Sequence, residues 1–399
     1  MISLKGKCVV LGVTGSIAAY KTAALASMLV KAGADVEVIM TKNATNFINP
    51  ITFETITKNR CITETFDRDH EFKVEHVSLA KKADVFMVAP ASANVIGKIA
   101  GGIADDMLTT TIMACTCKKL ISPAMNTDMF YNPIVKDNIR KLESYGYEII
   151  SPGTGFLACG DMGAGRMPEP EVLFRYIVKE TVYEKDLLGK TALVTAGPTR
   201  EAIDPVRFIT NHSTGKMGYA IAYNLAMRGA EVRLVSGPVS LTPPPFTEVI
   251  NVTTAAEMAD AVKQHAPESD IIIKAAAVAD YRPKDPATEK IKKSDEDAVV
   301  RLERTEDILA YLGLNKREDQ FICGFSMETE NMLENSIAKL RKKNVDMIVA
   351  NNLKTAGAGF GTDTNVVTII TPEGAKELPI MSKDDVAAAI VDEILRITK

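Results

Sequence analysis

Residues 7–40 read KCVVLGVTGSIAAYKTAALASMLVKAGADVEVIM. The aliphatic residues at 7–12 predict a strand, the Ala- and Leu-rich stretch at 16–31 predicts a helix that ends at Gly33, and residues 35–40 predict a second strand. A strand, a helix and a strand in this order are typical of a βαβ unit, in which the two strands run parallel. This unit sets the fold class of the first part of the chain.

The same pattern recurs further along the chain. Three more apolar runs predict buried strands, at residues 85–89, 119–122 and 148–151. The pattern then starts again, with a strand at 191–196, a helix at 216–228 and a strand at 231–236. Apolar strands that alternate with helices indicate a mainly parallel sheet covered on both faces. We therefore predict an α/β protein with two Rossmann-like three-layer domains, the first of them flavodoxin-like.

Length and composition bound the domain organisation and the class of protein. A chain of 399 residues suggests about two or three domains. A charged helix predicted over 171–185 separates the two patterns, so we expect domains at 1–188 and 189–399. The formal net charge of −4 argues against a nucleic-acid-binding protein, which normally carries a basic face. No apolar run approaches the roughly 20 residues that a membrane-spanning helix needs.

The cysteines indicate the cellular compartment. Six of them lie at irregular positions in the chain, which is not typical of a disulfide framework. We therefore expect a cytoplasmic protein with reduced thiols.

Two motifs in the first half follow predicted strands. Residues 12–17, GVTGSI, open a helix, where free N–H groups, glycine and a serine hydroxyl suit a phosphate; the alternative is a tight turn. This is not the GxGxxG pattern, which disfavours a dinucleotide site. Residues 90–94, PASAN, follow a buried strand, and Ser92 and Asn94 could bind a flat heterocycle there. Taken alone, helix capping by either side chain is the better interpretation of this motif.

Two further segments carry candidate catalytic groups. Residues 123–129 read PAMNTDM, and residues 155–167 read GFLACGDMGAGRM. The glycines of the second segment disfavour both helix and strand, which predicts a mobile flap. Cys159 on this flap could act as a proton donor or nucleophile. His76 is a candidate base, although a single histidine is more often structural.

The second half has its own candidate site. In VRFITNHSTGKMG, residues 206–218, the polar residues at a helix start could form an oxyanion or phosphate cradle; the alternative is a capped helix with a solvated Lys216. Asp280 ends a predicted buried strand, where it could contact a ligand or a metal–phosphate group. Residues 289–293, EKIKK, lie in a polar loop that could close over a polyphosphate, although a charge run is usually a solvated surface.

The motifs of the first half occur together in one known family. GVTGSIAAYK, His76, PASAN, PAMNTDM and ACGDMGAGRM resemble the homo-oligomeric flavin-containing cysteine decarboxylases, specifically the phosphopantothenoylcysteine decarboxylases, over residues 5–175. The resemblance implies oxidation of the substrate's thiol end to a thioaldehyde, loss of CO₂, and reduction of the resulting enethiol. It makes His76 essential for the early steps, Asn126 the group that holds the substrate carboxylate, and Cys159 the acid that protonates the enethiol. The implied cofactor is FMN, with contacts at Gly15, Ser16, Ile17, Thr41, Ser92, Ala93, Asn94 and Val95.

The second half resembles another family, the phosphopantothenate–cysteine ligases, over about residues 189–399. The motifs that carry this resemblance are AGPTREAIDPVRFITNHSTGKMG, AAAVADY, EKIKK and GFSMET. They imply that 4′-phosphopantothenate is activated by CTP with Mg²⁺, and that the acyl-cytidylate then reacts with cysteine. Asn211 matches the residue that handles the acyl phosphate, and Lys290 matches the lysine that offsets charge during activation. Positions implied to contact the nucleotide are Lys274, Ala275, Ala276, Asp280, Lys290, Asp307, Ile308, Phe325, Lys339 and Lys343; direct metal ligands are not assigned.

The order decarboxylase-then-ligase is that of the prokaryotic bifunctional enzyme of coenzyme A biosynthesis. The family implies a large homo-oligomer, a dodecamer of decarboxylase trimers and ligase dimers. Three alternatives are weaker. A decarboxylase of peptidyl cysteines with an unrelated second half conflicts with the ligase motifs. A flavin-binding regulatory subunit conflicts with the joint presence of His76, Asn126 and Cys159. An NAD-dependent oxidoreductase lacks its glycine pattern.

Overall fold

The computed structural model describes residues 3–66, 74–156, 160, 162–293, 299–328, 332–352 and 361–398. The chain divides into two compact units, Met1–Tyr183 and Glu184–Lys399. The division lies a few residues before the expected 188/189 boundary, because Asp186 and Leu187 pack with the second unit. Asp186 accepts a hydrogen bond from Arg228 Nε at 2.9 Å, and Leu187 belongs to the apolar core of that unit. None of the helices in the described residues combines the length and apolar composition needed to cross a membrane.

The first unit is a parallel sheet with helices on both faces. Its strands are β1 (Cys8–Val13), β2 (Asp35–Met40), β3 (Cys61–Ile62), β4 (Val85–Ala91), β5 (Lys118–Pro123), β6 (Glu148–Ile149), β7 (Gly153–Phe156) and β8 (Met162–Arg166). Its helices are α1 (Ala19–Lys31), α2 (Pro50–Thr57), α3 (Glu75–Lys82), α4 (Ala93–Gly101), α5 (Met107–Ala114), α6 (Thr127–Tyr131), α7 (Pro133–Ser144) and α8 (Pro170–Val182).

The sheet of this unit has the strand order β3-β2-β1-β4-β5-β6, and all its pairings are parallel. This is the Rossmann order, whereas flavodoxin-like sheets run 2-1-3-4-5. The predicted α/β class with a parallel sheet is confirmed, and within it the order is the Rossmann one. The order reverses between β1 and β4, so ligands are expected above the carboxyl ends of these two strands.

The second unit contains a larger, mixed sheet. Its strands are β9 (Thr191–Ala196), β10 (Arg200–Ala202), β11 (Phe208–Thr210), β12 (Glu231–Ser236), β13 (Thr247–Asn251), β14 (Ile271–Lys274), β15 (Tyr281–Pro283), β16 (Leu302–Arg304), β17 (Phe321–Glu328), β18 (Met347–Asn352), β19 (Thr364–Asn365), β20 (Val367–Thr371), β21 (Gly374–Glu377) and β22 (Met381–Ser382). Its helices are α9 (Lys216–Met227), α10 (Ala255–His265), α11 (Ile308–Leu314), α12 (Met332–Lys343) and α13 (Lys383–Thr398).

The main sheet of the second unit runs β13-β12-β9-β14-β17-β18-β20-β21. The pairings from β13 to β18 are parallel, and β20 and β21 extend the sheet antiparallel. Successive residues of β9 point to opposite faces, so Leu193 and Val194 belong to different apolar clusters, one on each face. This burial on both faces explains why residues 192–194 of the predicted strand 191–196 are consecutive apolar residues.

The glycine-rich segment 155–167, predicted to be a flap, contains strand residues in the part that the structure describes. β7 and β8 pair as an antiparallel hairpin, so the prediction that its glycines disfavour a strand is wrong for the described residues. The glycines allow close packing instead. A Cβ on Gly163 would lie 2.3 Å from Thr127 Oγ1, and one on Gly165 would lie 2.2 Å from the carbonyl oxygen of Met125. Met125 N in turn donates to Gly165 O at 3.1 Å, so the hairpin lies directly against the PAMNTDM segment.

We expect Gly165→Ala to lower the free energy of unfolding by about 1–3 kcal/mol, because the added methyl group meets a backbone oxygen and the residue has φ of +129°. Denaturant unfolding of the full chain measures this loss. Gly153→Ala is the matched control in the same hairpin, because its Cβ would come no closer than 3.7 Å to another atom. Equal stability of the two variants would contradict the packing role of Gly165.

Candidate functional site

The first unit has a cavity of about 630 Å³ above the carboxyl ends of β1, β4 and β5. This is the edge at which the strand order predicts ligand binding. The cavity is lined by six of the site residues predicted from the sequence, namely Gly15, Ser16, Ile17, Ser92, Ala93 and Asn126. The rest of its lining is formed by Ala18, Tyr20, Lys21, Ala124, Met125, Met129, Phe156, Gly165, Arg166 and Met167.

The loops after β1 and β4 are joined by a buried hydroxyl. Thr14 Oγ1 donates to the carbonyl oxygen of Pro90 at 2.7 Å and accepts from Ser92 N at 2.9 Å. Ser92 also caps α4 by accepting from Val95 N at 3.4 Å, so the capping interpretation of this serine is what the structure has. Asn94 is exposed and Val95 is buried in the core, and neither lines the cavity.

The loop before α1 presents backbone donors to the cavity. Ser16 Oγ accepts from Ala18 N at 3.3 Å, and no side chain caps the helix. Within the described part of the chain, no acceptor takes the N–H groups of Ser16 or Ile17. Two such N–H groups with a serine hydroxyl beside them form a suitable site for a phosphate. The geometry therefore fits the phosphate of a flavin nucleotide, and the apolar wall formed by residues such as Met125 and Met167 fits a flat ring.

Asn126 is held in one orientation by the backbone. Its Oδ1 accepts from Asp128 N at 2.8 Å as the N-cap of α6. Because the carbonyl oxygen of the amide is used in this bond, the Nδ2 group is on the opposite side and acts as a donor. Such an uncharged donor can bind a carboxylate without neutralising it.

Sequence reasoning missed an ionic group at the wall of this cavity. Lys21 is buried, and its Nζ donates to Met167 O and to Glu169 Oε1, both at 3.0 Å. Arg166 Nη2 donates to the same carboxylate oxygen at 2.7 Å. The bond from Lys21 holds the pKa of Glu169 below its usual range. The available signal was a lysine at the helical spacing of the buried apolar residues of α1.

The structure does not bring the remaining predicted residues of this unit to the cavity. His76 lies half-buried in the first turn of α3, and Thr41 follows β2, where its Oγ1 accepts from Ala44 N at 3.3 Å. Neither residue lines the cavity. Cys159 lies outside the described residues.

The second unit has a cavity of about 320 Å³ at the start of α9 and the carboxyl ends of β14, β17 and β18. It brings together the predicted residues Asn211, Ala275, Ala276, Asp280 and Phe325. Further lining residues are Ser213, Thr214, Gly215, Lys216, Met217, Gly218, Ala277, Ser326, Met327, Asn351, Asn365 and Lys383. The last three come from β18, β19 and α13, elements that the sequence analysis did not predict.

Asn211 and Lys216 are both fixed at this cavity. Asn211 Nδ2 donates to the carbonyl oxygens of Ala277 at 3.0 Å and Val278 at 3.3 Å. Lys216 Nζ lies 2.7 Å from Asp363 Oδ1 in an ion pair at the protein surface, and Lys216 also lines the cavity.

Charged residues predicted for the nucleotide surround Lys274 at the end of β14. Burial and the nearby ammonium of Lys339 lower the pKa of Lys274 to about 8, while Asp307 and Asp280 oppose this shift. Lys343 forms an ion pair with Asp307, which also caps α11 by accepting from Ala310 N at 2.9 Å. The cluster is rich in cations, which suits a polyanionic ligand.

Three other predicted residues have different surroundings. Lys290 is exposed and does not line the cavity, and Ile308 is buried in the apolar core, so only its backbone could contact a ligand. Lys339 Nζ donates to the carbonyl oxygen of Phe325 at 3.2 Å, at the edge of the cavity. Among the described residues, no group of three or more His, Cys, Asp or Glu side chains could hold a metal ion.

Comparisons with known proteins match the two halves separately and the chain as a whole. Residues 3–182 match the flavoprotein family, and residues 187–397 match the C-terminal domain family of DNA/pantothenate metabolism flavoproteins. The coenzyme A biosynthesis bifunctional protein CoaBC of Bacillus subtilis is 50% identical over 400 residues, which cover 99% of this chain and 98% of that protein. The protein of the same name from Haemophilus influenzae is 43% identical over 394 residues, covering 99% and 98%.

Two other similar proteins are relevant. A cysteine/cysteine sulfinic acid decarboxylase from an unidentified prokaryote is 44% identical over 354 residues, which cover 87% of this chain and 99% of that protein. The crystal structure of a CoaBC C-terminal domain is 46% identical, with a TM-score of 0.45, and the match covers 53% of this chain and 96% of that one.

Proposed function

Because the chain belongs to the family of bifunctional coenzyme A biosynthesis proteins, we propose how its own residues carry out the two reactions. The enzyme is a phosphopantothenate–cysteine ligase and a phosphopantothenoylcysteine decarboxylase. We assign decarboxylation to the first unit and ligation to the second. The observation that carries this assignment is that each unit has a cavity at the carboxyl ends of its parallel strands, lined by residues of the corresponding motifs.

The ligase reaction starts from 4′-phosphopantothenate and CTP. The substrate carboxylate attacks the α-phosphorus, a P–O bond forms, and pyrophosphate leaves. The amino group of cysteine then attacks the acyl carbon, and CMP leaves with the electrons of the broken C–O bond. Lys290, Lys339 and Lys343 offset the charge of the phosphates, and Asn211 binds the acyl phosphate.

Mg²⁺ accompanies the nucleotide in this proposal, because a triphosphate needs charge compensation during transfer. Asp280 and Asp307 are the carboxylates near Lys274, too few to form a protein cage. This fits Mg²⁺, which is usually bound by one or two carboxylates together with phosphate oxygens and water.

The decarboxylase cavity fits FMN, which supplies the two-electron oxidation and the later reduction when it is bound. Ser16 and Ile17 bind the phosphate through their N–H groups, and Ser92 and Ala93 contact the ring. Asn126 holds the substrate carboxylate through Nδ2 until CO₂ leaves. Cys159 delivers the proton to the enethiol, and His76 acts in the early steps.

A homo-oligomer would complete the decarboxylase site in this proposal. His76 does not line the cavity of its own chain, whereas apolar side chains at the cavity are exposed, Phe156 by 73%, Tyr20 by 62% and Ile17 by 56%. A second copy that covers these side chains could bring its His76 to the cavity. We propose decarboxylase trimers and ligase dimers, together a dodecamer. The cytoplasmic location stays a prediction from the reduced cysteines.

Product analysis by mass spectrometry tests the proposal. The purified protein is incubated with 4′-phosphopantothenate, cysteine, CTP and Mg²⁺, and we expect CMP and 4′-phosphopantetheine. Accumulation of 4′-phosphopantothenoylcysteine would contradict the decarboxylase half, and no use of CTP, with ATP also unused, would contradict the ligase half.

A second candidate reaction is the decarboxylation of free cysteine, favoured by the similarity to a cysteine decarboxylase over most of the chain. The same assay without 4′-phosphopantothenate distinguishes the two, because only this second candidate then releases cysteamine and CO₂.

We expect nucleotide binding to take up a proton at alkaline pH. The folded-state pKa of Lys274 is about 8, below the ordinary 10.5 of a lysine, so the free enzyme holds a neutral amine between these values. Phosphate oxygens favour the charged form and raise this pKa, so binding at about pH 9 adds a proton, and binding at about pH 6.5 adds none through this group. Calorimetry of CTP binding in buffers of different ionisation enthalpy measures the uptake.

Lys274→Met is the variant that should remove this uptake. Equal proton uptake by the variant and the natural enzyme would contradict the assignment.

The lowered pKa of Lys274 also affects stability in the absence of nucleotide. The unfolded state binds more protons than the folded state between pH 8 and 10.5, so this group makes the free enzyme more stable as pH rises through that window.

A further inference from the structure

A buried carboxylate outside both cavities contacts the loop that carries Lys290. Asp204 is 3% exposed and lies in the bend between β10 and β11. Its two oxygens have different partners. Oδ1 accepts from the backbone N–H groups of Val206 at 2.9 Å and Arg207 at 2.8 Å, which shapes the bend itself. Oδ2 accepts from Arg207 Nε at 2.9 Å and from Ile291 N at 3.2 Å, in the distant loop.

Ile291 is held at both of its backbone polar groups. Its N–H donates to Asp204, and its carbonyl oxygen accepts from Arg207 Nη2 at 2.9 Å. A second bond between the same two segments runs from Ala287 N to Ile203 O at 2.9 Å. Residues 285–293 have no helix or strand of their own, and among the described residues these bonds connect them to the β10–β11 segment.

The charge of Asp204 is well suited to this task. The guanidinium of Arg207 and three backbone N–H groups hold the pKa of Asp204 well below its usual range, so the carboxylate stays ionised at any pH at which the enzyme works. Hydrogen bonds to an ionised acceptor are roughly twice as strong as neutral ones. The backbone of Ile291 is therefore hydrogen-bonded to an ionised carboxylate in the bend between β10 and β11.

Lys290 precedes Ile291, and neighbouring Cα atoms are held about 3.8 Å apart. Its side chain is exposed, so its position depends on the backbone that carries it. We propose that Asp204 is a positioning residue of the ligase, which fixes Ile291 and thereby sets where the ammonium of Lys290 meets the phosphates. This inference rests on the role of Lys290 in the proposed function.

Asp204→Asn separates the two tasks of the carboxylate. An asparagine keeps a carbonyl oxygen for the bend, but its NH₂ group cannot accept from Ile291 N and does not pair with Arg207. Asp285→Asn is the matched control, an exposed carboxylate in the same loop. Arg207→Met is a second variant, which keeps the bend and removes the bond to Ile291 O, should the first fail to fold.

Two measurements on the full-length enzyme test the proposal. Brief tryptic digestion under native conditions, mapped by mass spectrometry, should show cleavage after Lys290, Lys292 and Lys293 about tenfold faster in Asp204→Asn than in Asp285→Asn. In single turnovers, acyl-cytidylate formation should slow about tenfold or more, while its reaction with cysteine keeps its rate, a split that a general loss of structure does not produce.

Unchanged cleavage at the three lysines would overturn the inference whatever happens to activity. Faster cleavage with unchanged activation would also overturn it, and Lys290→Gln then shows which claim has failed. If Lys290→Gln slows activation, the proposed role of Lys290 stands and only the positioning by Asp204 is wrong. If Lys290→Gln does not change the rate of acyl-cytidylate formation, the proposed role of Lys290 is wrong, and the positioning role of Asp204 is wrong as well.

Discussion

Lys290→Gln is expected to slow acyl-cytidylate formation by about 10²–10³-fold. In the activation step, negative charge grows on the phosphate oxygens as the carboxylate attacks and pyrophosphate leaves. A lysine ammonium offsets this charge, and the neutral amide of glutamine, although similar in length, does not. The reaction is followed as pyrophosphate release from CTP and 4′-phosphopantothenate in the absence of cysteine.

The same loop supplies the control for this experiment. Lys292 and Lys293 are exposed like Lys290 and belong to the same charge run. If the run is only a solvated surface, all three glutamine variants will behave alike. A rate loss confined to Lys290→Gln supports its specific role, whereas pyrophosphate release at the normal rate in this variant would show that the role is wrong.

Asn126→Asp is expected to reduce decarboxylation by a similar factor, about 10²–10³-fold. The substitution changes an amide donor into a carboxylate that repels the substrate's own carboxylate. It keeps the helix cap, because aspartate caps a helix as well as asparagine does and can still accept from Asp128 N. Release of CO₂ from 4′-phosphopantothenoylcysteine measures the effect, and the melting temperature and flavin content should not change.

Asn132→Asp is a closely matched control. Asn132 caps α7 by accepting from Ile134 N at 3.0 Å, as Asn126 caps α6, but it does not line the cavity. Both variants therefore keep a helix cap, and only Asn126→Asp places the new charge at the cavity. Normal CO₂ release by Asn126→Asp, or an equal loss in both variants, would contradict the assignment of Asn126 to the substrate carboxylate.

The sequence could predict those parts of the fold that depend on local pattern. The strands at 35–40, 191–196 and 231–236 have the expected limits, because each contains a short run of buried aliphatic residues that the sequence pattern reveals. The β7–β8 hairpin could not be predicted in this way. Its glycines look like a signal for flexibility, and the reason for them, the close approach of Met125 and Thr127, lies in another segment.

The residues of the candidate sites likewise include some that local sequence motifs indicate and others that only contacts between distant segments bring to the cavity. The sequence analysis singled out Gly15, Ser92 and Asn126, and all three line the cavity because each follows a strand whose carboxyl end faces it. Lys216 and Lys383 both line the second cavity although they are far apart in the chain, because they begin α9 and α13, two helices whose apolar residues share one core cluster.

The sequence by itself determined the α/β class, the two repeated patterns and the chemical groups available to each half, since these depend on residue type and on spacing over a few positions. Only the tertiary structure decided the lowered pKa of Lys274, the pairing of Lys21 with Glu169, and the attachment of Ile291 to Asp204. Each of these depends on burial or on contact between residues distant in the chain, and a charge acquires its chemical properties from the neighbours that folding places around it.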